Sequence, residues 1–332
     1  MLEVLLQGRA YLQTGESIFK PKDEQAVRSI VVDGLRLYPP NTVIRGTKME
    51  IRTNQYGLRS PPITPSLLPG ELRLAVIGAS TVAGAYARTN DMTFSQKLAG
   101  LLGKRHPGPV NVVNAGISGL TVHQMRLMLE KVVAPLKPRL VFVYTGFNDI
   151  AKLCKASAPP SASAVRIPHP ALPSWLLIPE LIRKNTIALR SSYRASGTGL
   201  RRANQVSPAA IDAYRKDVEE LARAARHRNI ELVFVSSLSS YRRNMPLAEQ
   251  QDLSAFALYY NKCLDLNGLY AVTDRLNLIQ QTVAKANGFT FLDIRAQVPG
   301  GSAVFVDSSH FTPEGERLVA EALDRYLASR LN

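Results

Sequence analysis

Five residues in this 332-residue chain have the types that acyl transfer needs, and they lie in four short blocks. Ser80 sits in Gly78-Ala-Ser-Thr81, Gly116 closes Asn114-Ala-Gly116, Asn148 is in Gly146-Phe-Asn-Asp149, and Asp307 stands three residues before His310. A serine hydroxyl is a weak nucleophile until a neighbouring base takes its proton, and a histidine does this when a carboxylate fixes its tautomer. In a turn, the Asp-x-x-His spacing lets Asp307 reach imidazole Nδ1 while Nε2 points at Ser80. The N–H groups of Ser80 and Gly116 and the amide of Asn148 are donors for an oxyanion, each typically worth ~2.7–4 kcal/mol of barrier. Taken singly, every one of these residues has a plain structural role. Ser80 suits a helix N-cap, Gly116 and Asn148-Asp149 suit turns, and Asp307 with His310 suits a structural hydrogen bond ahead of a capped helix. Their order behind successive apolar runs is what makes a site.

Residues this far apart in sequence need a scaffold that delivers them to one edge. Leu72–Ile77, Val110–Val113, Leu140–Tyr144, Glu231–Val235 and Phe289–Asp293 are apolar runs of strand length. Helical spacing separates them: Phe94, Leu98, Leu101 and Leu102; Val122, Met125, Leu129 and Val132; Ser207-Pro208 to about Arg228; Leu253 to Gly288; and Thr312-Pro313 to about Leu331. The alternation predicts an α/β fold, a doubly wound, mostly parallel five-stranded sheet flanked by helices, with the polar blocks at carboxyl strand ends where such sheets bind ligands. Residues 1–70 are rich in turn signals and alternate around Gly46 from Val43 to Arg52, which reads as an N-terminal extension with a β-hairpin. Residues 71–332 form the α/β domain, with insertions near 151–205 and 237–255 as candidate walls of a cleft.

All four blocks, in order from about Leu72 to the C-terminal helix, resemble the SGNH hydrolases, also called the GDSL family. The resemblance implies a flavodoxin-like three-layer fold and no cofactor. It also implies Ser80 as nucleophile, His310 as general base, Asp307 as its orienting carboxylate, and an oxyanion hole of Ser80, Gly116 and Asn148. The chain departs from the pattern once, with Gly78-Ala79-Ser80 where the family writes Gly-Asp-Ser. Asn54-Gln-Tyr-Gly57-Leu-Arg59 resembles a segment that precedes the catalytic domain in many bacterial members. Family substrates include polysaccharide acetyl groups, aryl esters, lipids and thioesters. With the basic charge, this points to O-acetyl esters on a bacterial, acidic glycan. Trp175, Arg242 and Arg243 are the expected substrate contacts, because a ring stacks on a sugar face and arginine pairs with carboxylates. Two alternatives stand beside this reading: an O-acyltransferase using the same triad, and a glycan-binding module without turnover.

Composition narrows the classes further. Hydrophobic residues at 45% and charged ones at 20% exclude a disordered chain. The 41 Lys and Arg exceed the 26 Asp and Glu by 15, but they are dispersed and no zinc-finger or RNP pattern accompanies them, so no nucleic-acid partner is expected. Leu74–Ala87, the longest uncharged apolar stretch, is shorter than the ~18 residues of a spanning helix. Met1–Gly8 lacks a basic stretch ahead of an apolar one and resembles a protease-recognition scar, with Leu6 as a departure. The expected location is extracytoplasmic, periplasmic or anchored, over cytoplasmic. Cys154 and Cys263 cannot make a disulfide framework or a thiolate zinc site. With no His-Glu-x-x-His, P-loop, G-x-G-x-x-G or G-x-S-x-G, neither a metal nor a nucleotide is implied. His123, near the second block, reads first as a surface helix residue and second as a residue supporting the site or touching substrate.

Overall fold

A computed structural model describes residues 3–8, 30–32, 34–45, 49–157 and 206–330. Trp175 and most of the 151–205 insertion lie outside the described residues. Two antiparallel hairpins come first, β1 (Ile30–Val32) with β2 (Leu35–Leu37) and β3 (Val43–Arg45) with β4 (Glu50–Arg52). The apolar runs then form one sheet: β5 (Leu72–Gly78), β6 (Val110–Gly116), β7 (Leu140–Tyr144), β8 (Glu231–Val235) and β9 (Thr290–Leu292). Its order is β6-β5-β7-β8-β9, and every pairing is parallel. Gly78 pairs with both Gly116 and Tyr144, so the strand ends that carry the first three polar blocks are level.

The α-helices that follow β5 are α1 (Ser80–Ala83), α2 (Phe94–Gly103), α3 (Val122–Met128), α4 (Phe147–Ala156), α5 (Pro208–Arg226), α6 (Leu247–Tyr260), α7 (Leu266–Ala286) and α8 (Pro313–Ala328). Side chains alternate along a strand, so a sheet buried on both faces needs apolar residues at every position. β5 is buried throughout, and its one charged residue, Arg73, is paired with Glu71 at 2.7 Å. Ala75, Ile77, Val141, Val143 and Phe234 pack with α3, α5 and α7. Leu74, Val76, Phe142, Val233 and Val235 pack on the other face with α2 and α8. Leu35, Tyr38, Ile44, Ile51, Leu58 and Ile63 from the N-terminal hairpins and the segment after them belong to the first of these clusters. The extension therefore shares the core of the sheet.

Local signals explain the helix starts. The Ser207 side chain accepts the Ala210 N–H with Pro208 at the first helical position, and Thr312 accepts the Gly315 N–H with Pro313 in the same place. The single helix expected from Leu253 to Gly288 is instead two, α6 and α7, because the Asp265 side chain takes the Gly268 N–H at 2.8 Å and starts a second helix. In the break, Cys263 forms a disulfide with Cys154 on the last turn of α4, with Cα atoms 5.4 Å apart. Among the described residues no helix is long and apolar enough to cross a membrane.

The bridge closes a span of 109 residues. Closing so long a loop restricts the unfolded chain, so Cys154→Ser or reduction with a thiol should lower stability by about 2–4 kcal/mol. Thermal unfolding with and without reductant, followed by circular dichroism, will show it as a lower midpoint.

Candidate active site

Ser80 opens a four-residue helix directly behind β5. The turn out of the sheet is sharp because Gly78 has no Cβ; one there would lie 2.2 Å from Val82 Cγ2 and 2.7 Å from the Tyr144 carbonyl oxygen. Ser80 Oγ is 2.7 Å from His310 Nε2. His310 Nδ1 is in turn 2.7 Å from Asp307 Oδ2. The other carboxylate oxygen, Oδ1, accepts the N–H groups of Ser309 at 2.9 Å and His310 at 3.0 Å, so the turn fixes its own carboxylate. Phe305 and Phe311 close this turn as an antiparallel bridge. Burial alone would raise the Asp307 pKa, but the His310 bond and charge and the two backbone N–H groups hold it below the usual value. Asp307 is thus an acceptor for Nδ1–H, which leaves Nε2 to accept from Ser80.

A helix this short cannot satisfy its own carbonyls. Arg59, which is fully buried, does so from the N-terminal extension. Its guanidinium donates to the carbonyls of Ala83 at 2.8 Å, Gly84 at 2.6 Å and Ala87 at 2.8 Å, and to Asn90 Oδ1 at 3.0 Å. Asn54 Oδ1 accepts from the N–H groups of Tyr56 at 3.0 Å and Leu58 at 3.2 Å, folding the Asn54–Arg59 segment into a plug under α1. Glu316 is 2% exposed, and its Oε2 accepts the Phe94 N–H at 2.6 Å, capping α2 from α8.

The expected oxyanion donors fall in different environments. The Gly116 N–H donates to Asn114 Oδ1 at 3.0 Å, and a Cβ on Gly116 would lie 2.2 Å from the Ala83 nitrogen. Here the missing side chain serves the close approach of α1 to β6, and the N–H is already engaged. Three residues on, Gly119 is exposed at φ +85°, and its N–H has no acceptor among the described residues. Asn148 Nδ2 donates to the adjacent Leu120 carbonyl at 3.2 Å, which orients the amide and leaves its second N–H available. Asp149 pins this pair of loops: Oδ1 accepts the Val122 N–H at 3.0 Å and Oδ2 the Thr145 hydroxyl at 2.7 Å. Burial pushes its pKa up to about 6.

Aromatic rings that sequence reading missed surround His310. The Tyr86 ring is 5.5 Å from the imidazole and that of Phe256 6.1 Å, with Tyr260 4.8 Å beyond Phe256 and Phe147 stacked at 6.0 Å. Tyr86 and Tyr260 are 42% and 50% exposed. α6 brings Phe256 and Tyr260 here because Ser308 Oγ, inside the Asp307–His310 turn, donates to the Leu253 carbonyl at 2.7 Å and accepts the Ala257 N–H at 3.0 Å. Only an aromatic repeat at Phe256, Tyr259 and Tyr260 in the sequence hinted at this wall. Arg242 and Arg243 line a cavity of about 590 Å³ that includes none of Ser80, Asp307 and His310 in its walls. His123 is exposed, 3.6 Å from Asp217, in a group with Glu220. Lys152 pairs with Asp217 at 2.9 Å and Arg126 approaches Glu220 at 3.7 Å, so these acids have cationic partners.

Residues 76–318 match the family model described as GDSL-like Lipase/Acylhydrolase family. Solved structures similar to the chain include Axe2, an acetylxylan esterase from Geobacillus stearothermophilus, with 17% identity, a TM-score of 0.47, and coverage of 76% of this chain and 92% of that one. A GDSL-like lipase from Bacteroides thetaiotaomicron has 15% identity and a TM-score of 0.43 over 78% of this chain and 88% of its own. A search of curated proteins finds no match.

Glu316 provides a test of the packing behind the site. Burial raises its pKa to about 8 from 4.5. The folded protein therefore holds a proton that the unfolded chain releases between those values, and stability falls as pH rises through that window. Glu316→Gln keeps an acceptor for Phe94 and removes the titration. The fall in thermal midpoint between pH 5 and pH 8 should be smaller in the variant than in the wild type.

Proposed function

The chain belongs to the GDSL-like lipase/acylhydrolase family and is an ester-hydrolysing enzyme, and from that premise we propose that it works through an acyl-Ser80 intermediate on O-acetyl esters of an acidic bacterial glycan. The observation that carries the mechanism is the continuous chain of 2.7 Å contacts from Ser80 Oγ through His310 to Asp307. In the first half-reaction His310 Nε2 takes the Ser80 proton as Oγ attacks the acyl carbon. The imidazolium formed is stabilised by Asp307 and returns the proton to the departing sugar oxygen, breaking the ester bond. In the second half, His310 deprotonates a water that attacks the acyl carbon, and Ser80 leaves with the proton as free acid is released.

The negative charge on the tetrahedral carbonyl oxygen needs donors that are in place beforehand. In this reading they are the Ser80 N–H at the start of α1, the second N–H of the Asn148 amide, and a backbone N–H from the loop behind β6. For the last of these, Gly119 is favoured over Gly116, whose N–H is already held by Asn114. The rings of Tyr86 and Phe256 crowd the imidazole. That supports a small acyl group, and the exposed faces of Tyr86 and Tyr260 suit stacking on a sugar.

Ser80→Ala and His310→Ala should each lower aryl acetate hydrolysis by roughly 10⁴-fold or more. A fluorophosphonate adduct should map to Ser80 by mass spectrometry, and unlabelled Ser80 in an active protein would exclude the assignment. Asn148→Ala should lower kcat by about 10²- to 10³-fold with the fold intact. Aryl octanoate should be a poorer substrate than aryl acetate.

A further inference from the structure

The cavity lined by Arg242 and Arg243 lies behind β8 and β9, on the same end of the sheet as Ser80. Parallel strands are about 4.8 Å apart, so it lies roughly 10–15 Å along the sheet from the end of β5. The two sites are mechanically joined: the Ser240 N–H donates to the Ser308 carbonyl at 3.2 Å, and the Gly301 N–H donates to the Ser240 carbonyl at 2.7 Å.

Three guanidiniums face this cavity, and two of them are neutralised. Arg295 pairs with Asp293 at 2.6 Å and Asp274 at 3.3 Å. Arg243 pairs with Asp274 at 3.0 Å and lies 4.3 Å over the Tyr270 ring. Arg242 has no carboxylate partner among the described residues; its hydrogen bond goes from Nη2 to the Val298 carbonyl at 3.0 Å. Burial lowers its pKa, the direction expected for a cation without an anion. Its stem is held in place, since a Cβ on Gly300 would lie 2.8 Å from Arg242 Cγ and 2.4 Å from the Ser240 carbonyl oxygen. A fixed, half-buried guanidinium with unused donors is matched by a planar acid that can accept two parallel hydrogen bonds.

We propose that this cavity is a carboxylate-binding subsite in which Arg242 takes the acid group of a uronic acid residue on the same glycan whose ester reaches Ser80. The inference rests on the acidic-glycan esterase reading above and deepens it, placing the acid group in this cavity and naming the residue that selects it.

The test compares kcat/KM for an O-acetylated polyuronate with that for an O-acetylated neutral xylan, in wild type, Arg242→Gln and Arg242→Lys. A lost charged hydrogen-bond pair corresponds to a loss on the order of tenfold or more. The acidic-to-neutral ratio should fall by that factor in Arg242→Gln, chiefly through KM, and by less in Arg242→Lys. An unchanged ratio in Arg242→Gln overturns the subsite while leaving the esterase reading intact. If the wild type does not turn over aryl acetate at all, the esterase reading fails. Calorimetry then decides the subsite alone: an unacetylated oligouronate should bind the wild type and bind Arg242→Gln more weakly. Equal binding, or tighter binding of inorganic sulfate than of the oligouronate, overturns it.

Discussion

Ser80, the proposed nucleophile, stands on a helix of only four residues. The carbonyls of Ser80 and Thr81 accept the N–H groups of Ala85 and Gly84, and that of Val82 accepts the Asn114 amide, but the Ala83 and Ala87 carbonyls need a donor from elsewhere in the chain. One guanidinium resolves this, because Arg59 binds the carbonyls of Ala83, Gly84 and Ala87 at once. A buried arginine is tolerable only with its donors used; here four of its hydrogen bonds go to the segment that follows Ser80 and one goes to the Glu50 carbonyl at 3.1 Å. Arg59 precedes the stretch that matches the family model, residues 76–318. The geometry of the serine therefore depends on chain outside that match, and the shared core of hairpins and sheet is the reason the extension can deliver it.

Around this support, three carboxylates sit in three electrostatic settings. Asp307 is held below its usual pKa by the histidine and by two backbone N–H groups. Asp149 and Glu316 are raised to about 6 and about 8 because burial outweighs the donors they have. Asp307 faces the imidazole, while the other two join elements: Asp149 ties β7 to α3, and Glu316 ties α8 to α2. Environment divides one side-chain type between chemistry and construction.

Much of this was legible because parallel strands buried on both faces write themselves as continuous apolar runs. β7 and β8 coincide with Leu140–Tyr144 and Glu231–Val235, and β3 pairs with β4 within the stretch from Val43 to Arg52 whose alternation implied a hairpin. Polar residues behind those runs then drew attention to Ser80, Asn148, Asp307 and His310. What stayed hidden depends on contacts with no sequence period. Helical apolar spacing continues across residues 261–265, so only the Asp265 cap reveals the break. Gly116 and Gly119 look alike as turn glycines, and a single hydrogen bond from the Gly116 N–H to Asn114 Oδ1 tells them apart. Tyr86, Phe147 and Phe256 come from three separate segments and become a wall only when α6 docks on Ser308.

The Cys154–Cys263 bridge has a topological consequence. It joins the end of α4, the helix that carries Asn148, to the turn between α6 and α7, and everything from 155 to 262 becomes a covalent ring. A single cut of the backbone anywhere inside that ring separates no mass. The two pieces, one bearing Ser80 and the other Asp307 and His310, stay tethered until a reductant opens the sulfur bond. Limited proteolysis of the oxidised protein thus leaves Ser80 and His310 in one particle even when the chain between them is broken.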